Sequence, residues 1–154
     1  MQESFRSAVL LGLVFFAIAC GVAPALAQSG VTTPKPGSAE RKAILDALRV
    51  PVQRDLKMPV IFVVHKPVHD LRVKQGWAFV VAEFRHSNGD PMGPAYFAET
   101  HGGSSSDACG LLHLVHGRWR IVDHMTGPSD VYWGEWQREH HTPPGLVPDQ
   151  ETNH

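Results

Sequence analysis

Cysteine is scarce in this chain, which holds only Cys20 and Cys109. An excess of charge of one sign is also missing, because 14 basic and 15 acidic residues nearly cancel. The balance excludes a strongly basic nucleic-acid-binding protein and a long acidic tail. Hydrophobic residues make up 43% of the chain, too many for an intrinsically disordered protein. The length of 154 residues favours a single globular domain.

An uncharged run stands near the N-terminus. No side chain is charged from residue 7 to residue 27, and the run ends in Ala-Leu-Ala, a pattern typical of signal-peptide cleavage sites. We predict that residues 1–27 are a signal peptide cleaved after Ala27, and that the protein is periplasmic or secreted. An uncleaved membrane anchor and a lipid on Cys20 are the alternatives. Cleavage would leave Cys109 as the only cysteine, so no internal disulfide could form.

The segment after a polar leader has helical periodicity. Ser38 is a favourable N-cap, and Ile44 and Leu48 lie four residues apart on one face. Pro51 predicts that this helix ends or kinks near residue 49. A second short helical turn over residues 51–57 could follow, in which Val52 and Leu56 would continue the apolar stripe.

Strands are predicted further along the chain. Runs rich in β-branched and aromatic residues indicate strands at 60–64, 71–73 and 77–84, with a kink at Pro67. Residues 87–107 form a long loop, in which 95–99 is a candidate short strand.

Residues 111–124 predict a hairpin. With a turn at His116-Gly117, its apolar pairs become Leu112 with Ile121 and Leu114 with Trp119. In the same register Cys109 faces His124.

These elements predict an α+β fold: an N-terminal helix packed on a curved antiparallel sheet of about four strands, followed by a short C-terminal helix over residues 130–141. The expected divisions are a flexible leader at 28–37, one domain at 38–141 and a disordered tail at 142–154. Because the strands are apolar on both faces, the C-terminal helix, a partner subunit or a ligand must cover the second face.

Three segments carry a family resemblance. ERKAILDALR, GWAFVVAEF and GRWRIVDH, the last followed by a Trp-x-x-Trp pair, resemble a family of small exported bacterial proteins of unknown function, over about residues 40–136. More distantly, the pattern is similar to the nuclear-transport-factor-2-like and cystatin-like α+β folds. The resemblance implies a cone-shaped sheet, a pocket in some members and dimers in many. It implies no activity and no catalytic residue.

The ten histidines raise the question of a metal site. The best candidate ligands are Cys109, His113 and His124, with His86 or His101 as a further ligand, and such a set would suit copper or zinc. The alternative is a buried thiol beside a surface histidine.

Catalytic signals are weak. Glu83 shares a strand side with apolar residues, and burial there could raise its pKa. The alternative is a strand-end carboxylate that pairs with an arginine. Asp123 and His124 are adjacent on a strand and face opposite ways, so they are not a dyad. The sequence has no nucleophile elbow, phosphate loop, HExxH or paired CxxC motif, which favours a protein that is not an enzyme and predicts no cofactor.

Two tryptophans and two arginines are candidates for binding. Trp133 and Trp136 lie three apart on the C-terminal helix, where they could form an interaction patch or cover the sheet. Arg118 and Arg120 could meet an acidic ligand.

The leading hypothesis is an exported, non-enzymatic binding or accessory module of the bacterial cell envelope. The alternatives are a small-molecule-binding or catalytic pocket protein and a periplasmic copper or zinc binder. The expected partner is an envelope protein, a small molecule or a second copy of the chain, and not a nucleic acid.

Overall fold

The first helix, α1, spans Ala39–Leu56 in a computed structural model, which describes residues 30–93, 96, 105–129 and 132–148. Ser38 caps it as predicted, since its side-chain oxygen accepts a hydrogen bond from the backbone N–H of Arg41 at 3.2 Å. The helix ends at Lys57, whose φ of 55° is left-handed. One stripe, spaced by four residues, is fully or almost fully buried: Ile44, Leu48, Val52 and Leu56.

Of the predicted end or kink near residue 49, the end is wrong, because α1 runs through Pro51 as one helix. The predicted continuation of the apolar stripe through Val52 and Leu56 is confirmed. Proline removes one backbone N–H from the helix but leaves the apolar spacing intact. Val52 and Leu56 carry the buried stripe past the proline. Their burial outweighs the lost hydrogen bond.

Five antiparallel strands follow α1 and form one open sheet, so the α+β prediction is confirmed. β3 is central, with β4 on one side and β5 beyond β4. A 3-10 turn at Tyr132–Gly134 and a short helix, α2, at Trp136–Glu139 come last. The strands are β1 (Val60–Val63), β2 (Asp70–Lys74), β3 (Trp77–His86), β4 (Asp107–Val115) and β5 (Arg118–Thr126).

β1 and β2 lie end to end along one edge of β3. β1 pairs with the C-terminal half of β3, where Val60 is opposite His86, and β2 pairs with the N-terminal half, where Lys74 is opposite Trp77. The predicted kink around Pro67 separates them, as expected from a residue that cannot donate to a ladder. This division makes five strands where about four were expected.

The β4–β5 hairpin has the predicted turn, in which His116 and Gly117 have φ values of 49° and 74°. The predicted apolar pairs Leu112–Ile121 and Leu114–Trp119 are confirmed. A β-bulge follows, because Leu111 pairs with Asp123 and leaves Val122 as the extra residue.

The bulge makes the predicted pairing of Cys109 with His124 wrong. Beyond the extra residue, the register is shifted by one, so Cys109 pairs with Met125 and His124 pairs with Gly110. A shift of one residue also moves a side chain to the other face of a sheet.

Both faces of the sheet are covered. The first, here called the helix face, packs on α1 through residues such as Val80, Phe84 and Leu112. The second face holds Phe79, Cys109 and Leu111, packed against the C-terminal segment.

The second cover includes chain that was expected to be disordered. Residues 142–148 fold back onto the sheet, and there Leu146 is 0% and Val147 is 2% exposed. These two apolar side chains lie among prolines and a glycine with no periodicity to mark them. Their burial, and not regular secondary structure, holds the segment in place.

The leader is also partly ordered. Thr32 and Val73 exchange two backbone hydrogen bonds of 2.9 and 2.8 Å, which add a bridge to the free edge of β2. Gly30 to Gly37 therefore does not behave as the free linker that its proline and glycine content predicts.

Several predictions fall outside the described residues. These are the signal peptide at 1–27, the lipid on Cys20, the strand at 95–99 and any role of His101. Within the described part of the chain, no helix combines the length and apolar character needed to cross a membrane.

Candidate functional site

A groove lies between α1 and the outer strand β5, with a cavity volume of about 430 Å³. We call it the α1–β5 groove. The helix supplies Ala47, Val50, Pro51 and Arg54, and the strand supplies Trp119, Arg120, Ile121 and His124. Helix residues spaced by three and four share a face, so residues 47, 50, 51 and 54 form one wall.

The groove combines an apolar interior with positively charged margins. Trp119 and Ile121 are half-buried and pack against the helix-face core. The Arg54 side chain is 72% exposed and has only a 3.7 Å contact with Asp55. Arg120 is exposed, and no ion pair to it is found among the described residues. The Arg54 guanidinium is therefore available to a ligand in the groove. Arg120 lies between Trp119 and Ile121 and pairs with His113, so its side chain leaves β5 on the other face of the sheet.

His124 forms part of the groove and also joins the strand to the helix. Its Nε2 lies 2.9 Å from Oδ2 of Asp55, and the same oxygen accepts a 2.9 Å hydrogen bond from the Thr126 hydroxyl. Burial on its own would raise the pKa of Asp55, but the hydrogen bonds from His124 and Thr126 outweigh it and lower the pKa below the ordinary value. The carboxylate thus stays ionised and anchors the imidazole.

A smaller cavity of about 180 Å³ lies on the second face, and we call it the Asp107 pocket. Nε2 of His69, a residue 7% exposed, lies 3.0 Å from Oδ1 of Asp107. Burial, and then the negative charge of Asp107, raise the pKa of the Cys109 thiol to about 12. The thiol is therefore protonated at neutral pH, which does not suit a nucleophile. The pocket is lined by Val81, Ser105, Asp107, Cys109, Pro128, Ser129 and Trp133.

The candidate metal ligands are not brought together. Cys109 lies on the second face, whereas His124 reaches α1 on the helix face. His113 stacks on Trp77, with ring centroids 4.4 Å apart. Among the described residues, no group of three or more histidine, cysteine or acidic side chains is placed to hold an ion. His86, proposed as a further ligand, lies with its ring 6.5 Å from that of Tyr96.

Glu83 is a strand carboxylate paired with an arginine, which is the alternative to a catalytic role. Its Oε2 accepts a 2.8 Å hydrogen bond from the Arg85 guanidinium and lies 3.8 Å from Nε2 of His65. The hydrogen bond to Glu83 raises the pKa of Arg85. Glu83 is thus held in an ion pair at the C-terminal half of β3 and lines neither cavity.

Trp133 and Trp136 pack on the second face of the sheet. Their rings lie 5.9 and 6.4 Å from the ring of Phe79, and Trp136 is only 5% exposed. Trp133 also borders the Asp107 pocket. The two tryptophans therefore cover the second face of the sheet, and an interaction patch formed by them stays a prediction.

The two arginines proposed to meet an acidic ligand are separated. Arg120 lines the α1–β5 groove, whereas Arg118 is exposed beside the hairpin turn and does not line it. The opposite orientation predicted for Asp123 and His124 is confirmed, since Asp123 contacts His140 while His124 contacts Asp55.

Sequence reasoning missed Arg54, Asp55 and Pro51 as parts of a site. One signal was present: continuing the spacing of α1 past Pro51 would have put Arg54 on the same face as Ala47. The contact between Asp55 and His124 had no such signal, because it depends on the bulge at Val122.

The architecture defines a small α+β protein with a cationic groove at the edge of its sheet. No protein-family model matches the chain, and neither do the curated proteins or the solved structures that were compared with it. The family resemblance of the sequence therefore stays a prediction.

Proposed function

We propose that this protein is an exported, non-enzymatic binding module that takes a small anionic ligand with an apolar body in the α1–β5 groove. The observation that carries the proposal is the presence of Arg54 and the half-buried Trp119 in one cavity. Its volume of about 430 Å³ is within the usual range for small-molecule sites.

Guanidinium groups favour an anionic ligand. A carboxylate or phosphate can accept two parallel hydrogen bonds from one arginine, a geometry that also orients the ligand. Because the Arg54 side chain is 72% exposed and lies 3.7 Å from Asp55, a bound anion would not have to displace a close hydrogen-bonded partner. The apolar body of the ligand would then pack on Trp119 and Ile121, which gives affinity through buried area.

The described groove residues also favour binding over catalysis. Among the described groove residues, His124 is of a type that commonly acts as a general base, and its contact with Asp55 through Nε2 leaves Nδ1 for that role. No serine, threonine or cysteine lines the groove beside it. The alternatives of a metal site at Cys109 and a catalytic Glu83 are less well supported, because the first set is split between two faces and the second is ion-paired.

A ligand titration with a matched pair of variants tests this function. We expect saturable binding of benzoate, measured by the changes in backbone amide chemical shifts. Arg54→Gln should lower the affinity about tenfold, the effect of removing one hydrogen bond to a charged group. Arg118→Gln removes the same charge from an exposed position outside the groove, so it should change the affinity by less than about twofold at physiological salt. No saturable binding, or equal effects of the two variants, would contradict the proposal.

Export is supported by the uncharged N-terminal run and its Ala-Leu-Ala ending. The intact mass of the protein isolated from the cell envelope tests it. A chain that begins at Gln28 is the expected result, a lipid-modified chain beginning at Cys20 would support the lipid alternative, and an uncleaved chain would contradict cleavage.

A further inference from the structure

One oxygen of the carboxylate in the Asp107 pocket has no partner. Asp107 and Cys109 alternate along β4 with residues of the helix-face core, so both side chains point to the second face. Oδ1 of Asp107 lies 3.0 Å from Nε2 of His69. Among the described residues, Oδ2 accepts no hydrogen bond, and no lysine or arginine forms an ion pair with this carboxylate. Oδ2 is therefore available to a ligand.

The negative charge of this carboxylate acts on the pocket wall. After burial, it is the second cause that raises the pKa of the Cys109 thiol to about 12. The Asp107 side chain is 29% exposed, so the carboxylate is partly withdrawn from water. Two opposite charges attract each other more strongly in such a place than on an open surface. The pocket therefore favours a cation.

The rest of the lining is largely apolar and includes an aromatic ring. The apolar lining residues are Val81, Cys109, Pro128 and Trp133. The hydroxyl of Ser105 is already used, because it donates to the carbonyl oxygen of Pro128 at 3.0 Å and accepts from the N–H of Asp107 at 3.4 Å. A ligand therefore meets one free carboxylate oxygen, the face or edge of an indole and few further acceptors.

We propose that the Asp107 pocket is a second binding site, which takes a small methylated ammonium ion between the carboxylate of Asp107 and the ring of Trp133. Carboxylates and indole rings both attract such ions. A primary ammonium group has three N–H donors to satisfy, whereas a fully methylated one has none and presents methyl groups that suit an apolar lining.

The size and place of the pocket agree with this ligand class. Its volume of about 180 Å³ is below the roughly 300–1,000 Å³ of sites for drug-sized molecules, which limits the ligand to a small ion. The pocket lies on the second face, across the sheet from the helix that forms the α1–β5 groove. The two sites are thus separate and take ligands of opposite charge.

The test titrates the whole chain with choline and with 3,3-dimethylbutan-1-ol, the uncharged alcohol in which a carbon atom replaces the nitrogen of choline. Binding is measured by the chemical shift of the Trp133 indole. We expect choline to bind about tenfold more tightly than the alcohol, a value between those of a charge contact in water and in a partly buried site.

Three variants assign the effect to the pocket. Asp107→Asn keeps an oxygen that can accept from His69, and it should lower the affinity for choline about tenfold without changing that for the alcohol. Asp123→Asn is the control, because it removes another histidine-paired carboxylate of the second face that lies outside the pocket. It should change the affinity less than about twofold. Trp133→Leu, followed by the Cys109 amide, should lower the affinity for choline about fivefold.

Several outcomes would overturn the proposal. Equal affinities for choline and the alcohol would make the pocket an apolar cavity without a preference for cations. Equal effects of Asp107→Asn and Asp123→Asn would reduce the attraction to the general charge of the surface. Tighter binding of ethanolamine than of choline would contradict the assignment to methylated ammonium ions. If Asp107→Asn does not fold, Trp133→Leu decides, and an unchanged affinity for choline in that variant would overturn the site.

Discussion

Two neighbouring residues of β5 connect the sheet to its two covers. His124 turns to the helix face, where Nε2 lies 2.9 Å from Oδ2 of Asp55 on α1. Asp123 turns to the second face, where Oδ2 lies 3.2 Å from Nε2 of His140, directly after α2. Each cover is thus joined to the edge strand by one histidine–aspartate pair. In the first pair the strand supplies the histidine, and in the second pair it supplies the aspartate.

The two covers differ in how regular their secondary structure is, and the cavities beside them differ in volume. On the helix face, α1 is a continuous helix of 18 residues. A long helix cannot follow a twisted sheet over its whole width, and it leaves the α1–β5 groove of about 430 Å³. On the second face, a turn, a short helix and extended chain fit more closely and leave about 180 Å³. The charged side chains that line the larger cavity are cationic, whereas the smaller one is lined by the carboxylate of Asp107. The larger of these two cavities therefore lies beside the regular helix, and not under the irregular C-terminal segment.

The largest effect is expected for Leu48→Ala on the helix face. Leu48 is 0% exposed at the centre of the α1 stripe, and the helix and sheet around it cannot collapse into the space left behind. We expect the free energy of unfolding to fall by about 4 kcal/mol in a denaturant titration. Val50→Ala in the same helix is the control, because Val50 is 70% exposed, and it should cost less than about 0.5 kcal/mol.

The equivalent change in the second cover, Leu146→Ala, should cost less. Leu146 is also 0% exposed, but the irregular chain that carries it can move inward and fill part of the space. A loss of about 2 kcal/mol is therefore expected from the same denaturant titration. A loss equal to that of Leu48→Ala would break the comparison between the covers, and no loss would support the original prediction of a disordered tail.

Gly110→Ala probes how closely the helix approaches the sheet. A Cβ atom added at Gly110 would lie 2.7 Å from Cδ1 of Leu48, which is too close for a real contact. Overpacking should cost about 1.5 kcal/mol. Because the clash is with Leu48 itself, the double variant with Leu48→Ala should be more stable than the sum of the two single effects predicts. Strict additivity of the unfolding free energies would contradict this contact.

The smallest effect concerns the Asp55–His124 pair. Its partners lower the pKa of Asp55, so the ionised carboxylate stabilises the folded protein above its unfolded pKa, near 3.9, and this contribution is lost as the pH falls through the lower folded pKa. Asp55→Asn should cost about 1 kcal/mol at pH 7, a modest value because the site is partly exposed. The difference from the native protein should shrink below pH 3.9.

Asp90→Asn, an exposed carboxylate in the turn after β3, is the control for this pH series. It should show a smaller effect at pH 7. A difference for Asp55→Asn that stays the same down to the most acidic pH would contradict the role given to the ionised pair.

The helix face was more predictable from the sequence than the second face, for physical reasons. The stripe through Ile44 and Leu48 and the pairs of the β4–β5 hairpin have regular spacing, so periodicity identified them. Leu146 and Val147 have no period, and their burial depends on the sheet that they meet.

The candidate site was predicted only in part. Arg120 was identified as a residue that could meet an acidic ligand, but Arg54, which supplies the guanidinium of the groove, follows a proline that was expected to end or kink the helix. The sequence around Val122 keeps the polar and apolar alternation of an unbroken strand, so no local signal marks the bulge. The predicted pairing of Cys109 with His124 depended on that one residue.

The most direct test of the account is to map where benzoate binds, by the chemical shifts of the backbone amides and the tryptophan indoles. The account predicts the largest changes at the Trp119 indole and at Ala47, with the Trp133 indole unchanged. Changes confined to Trp133 and to residues around Asp107 would put the ligand in the smaller pocket of the second face, and would contradict the claim that the α1–β5 groove is the binding site.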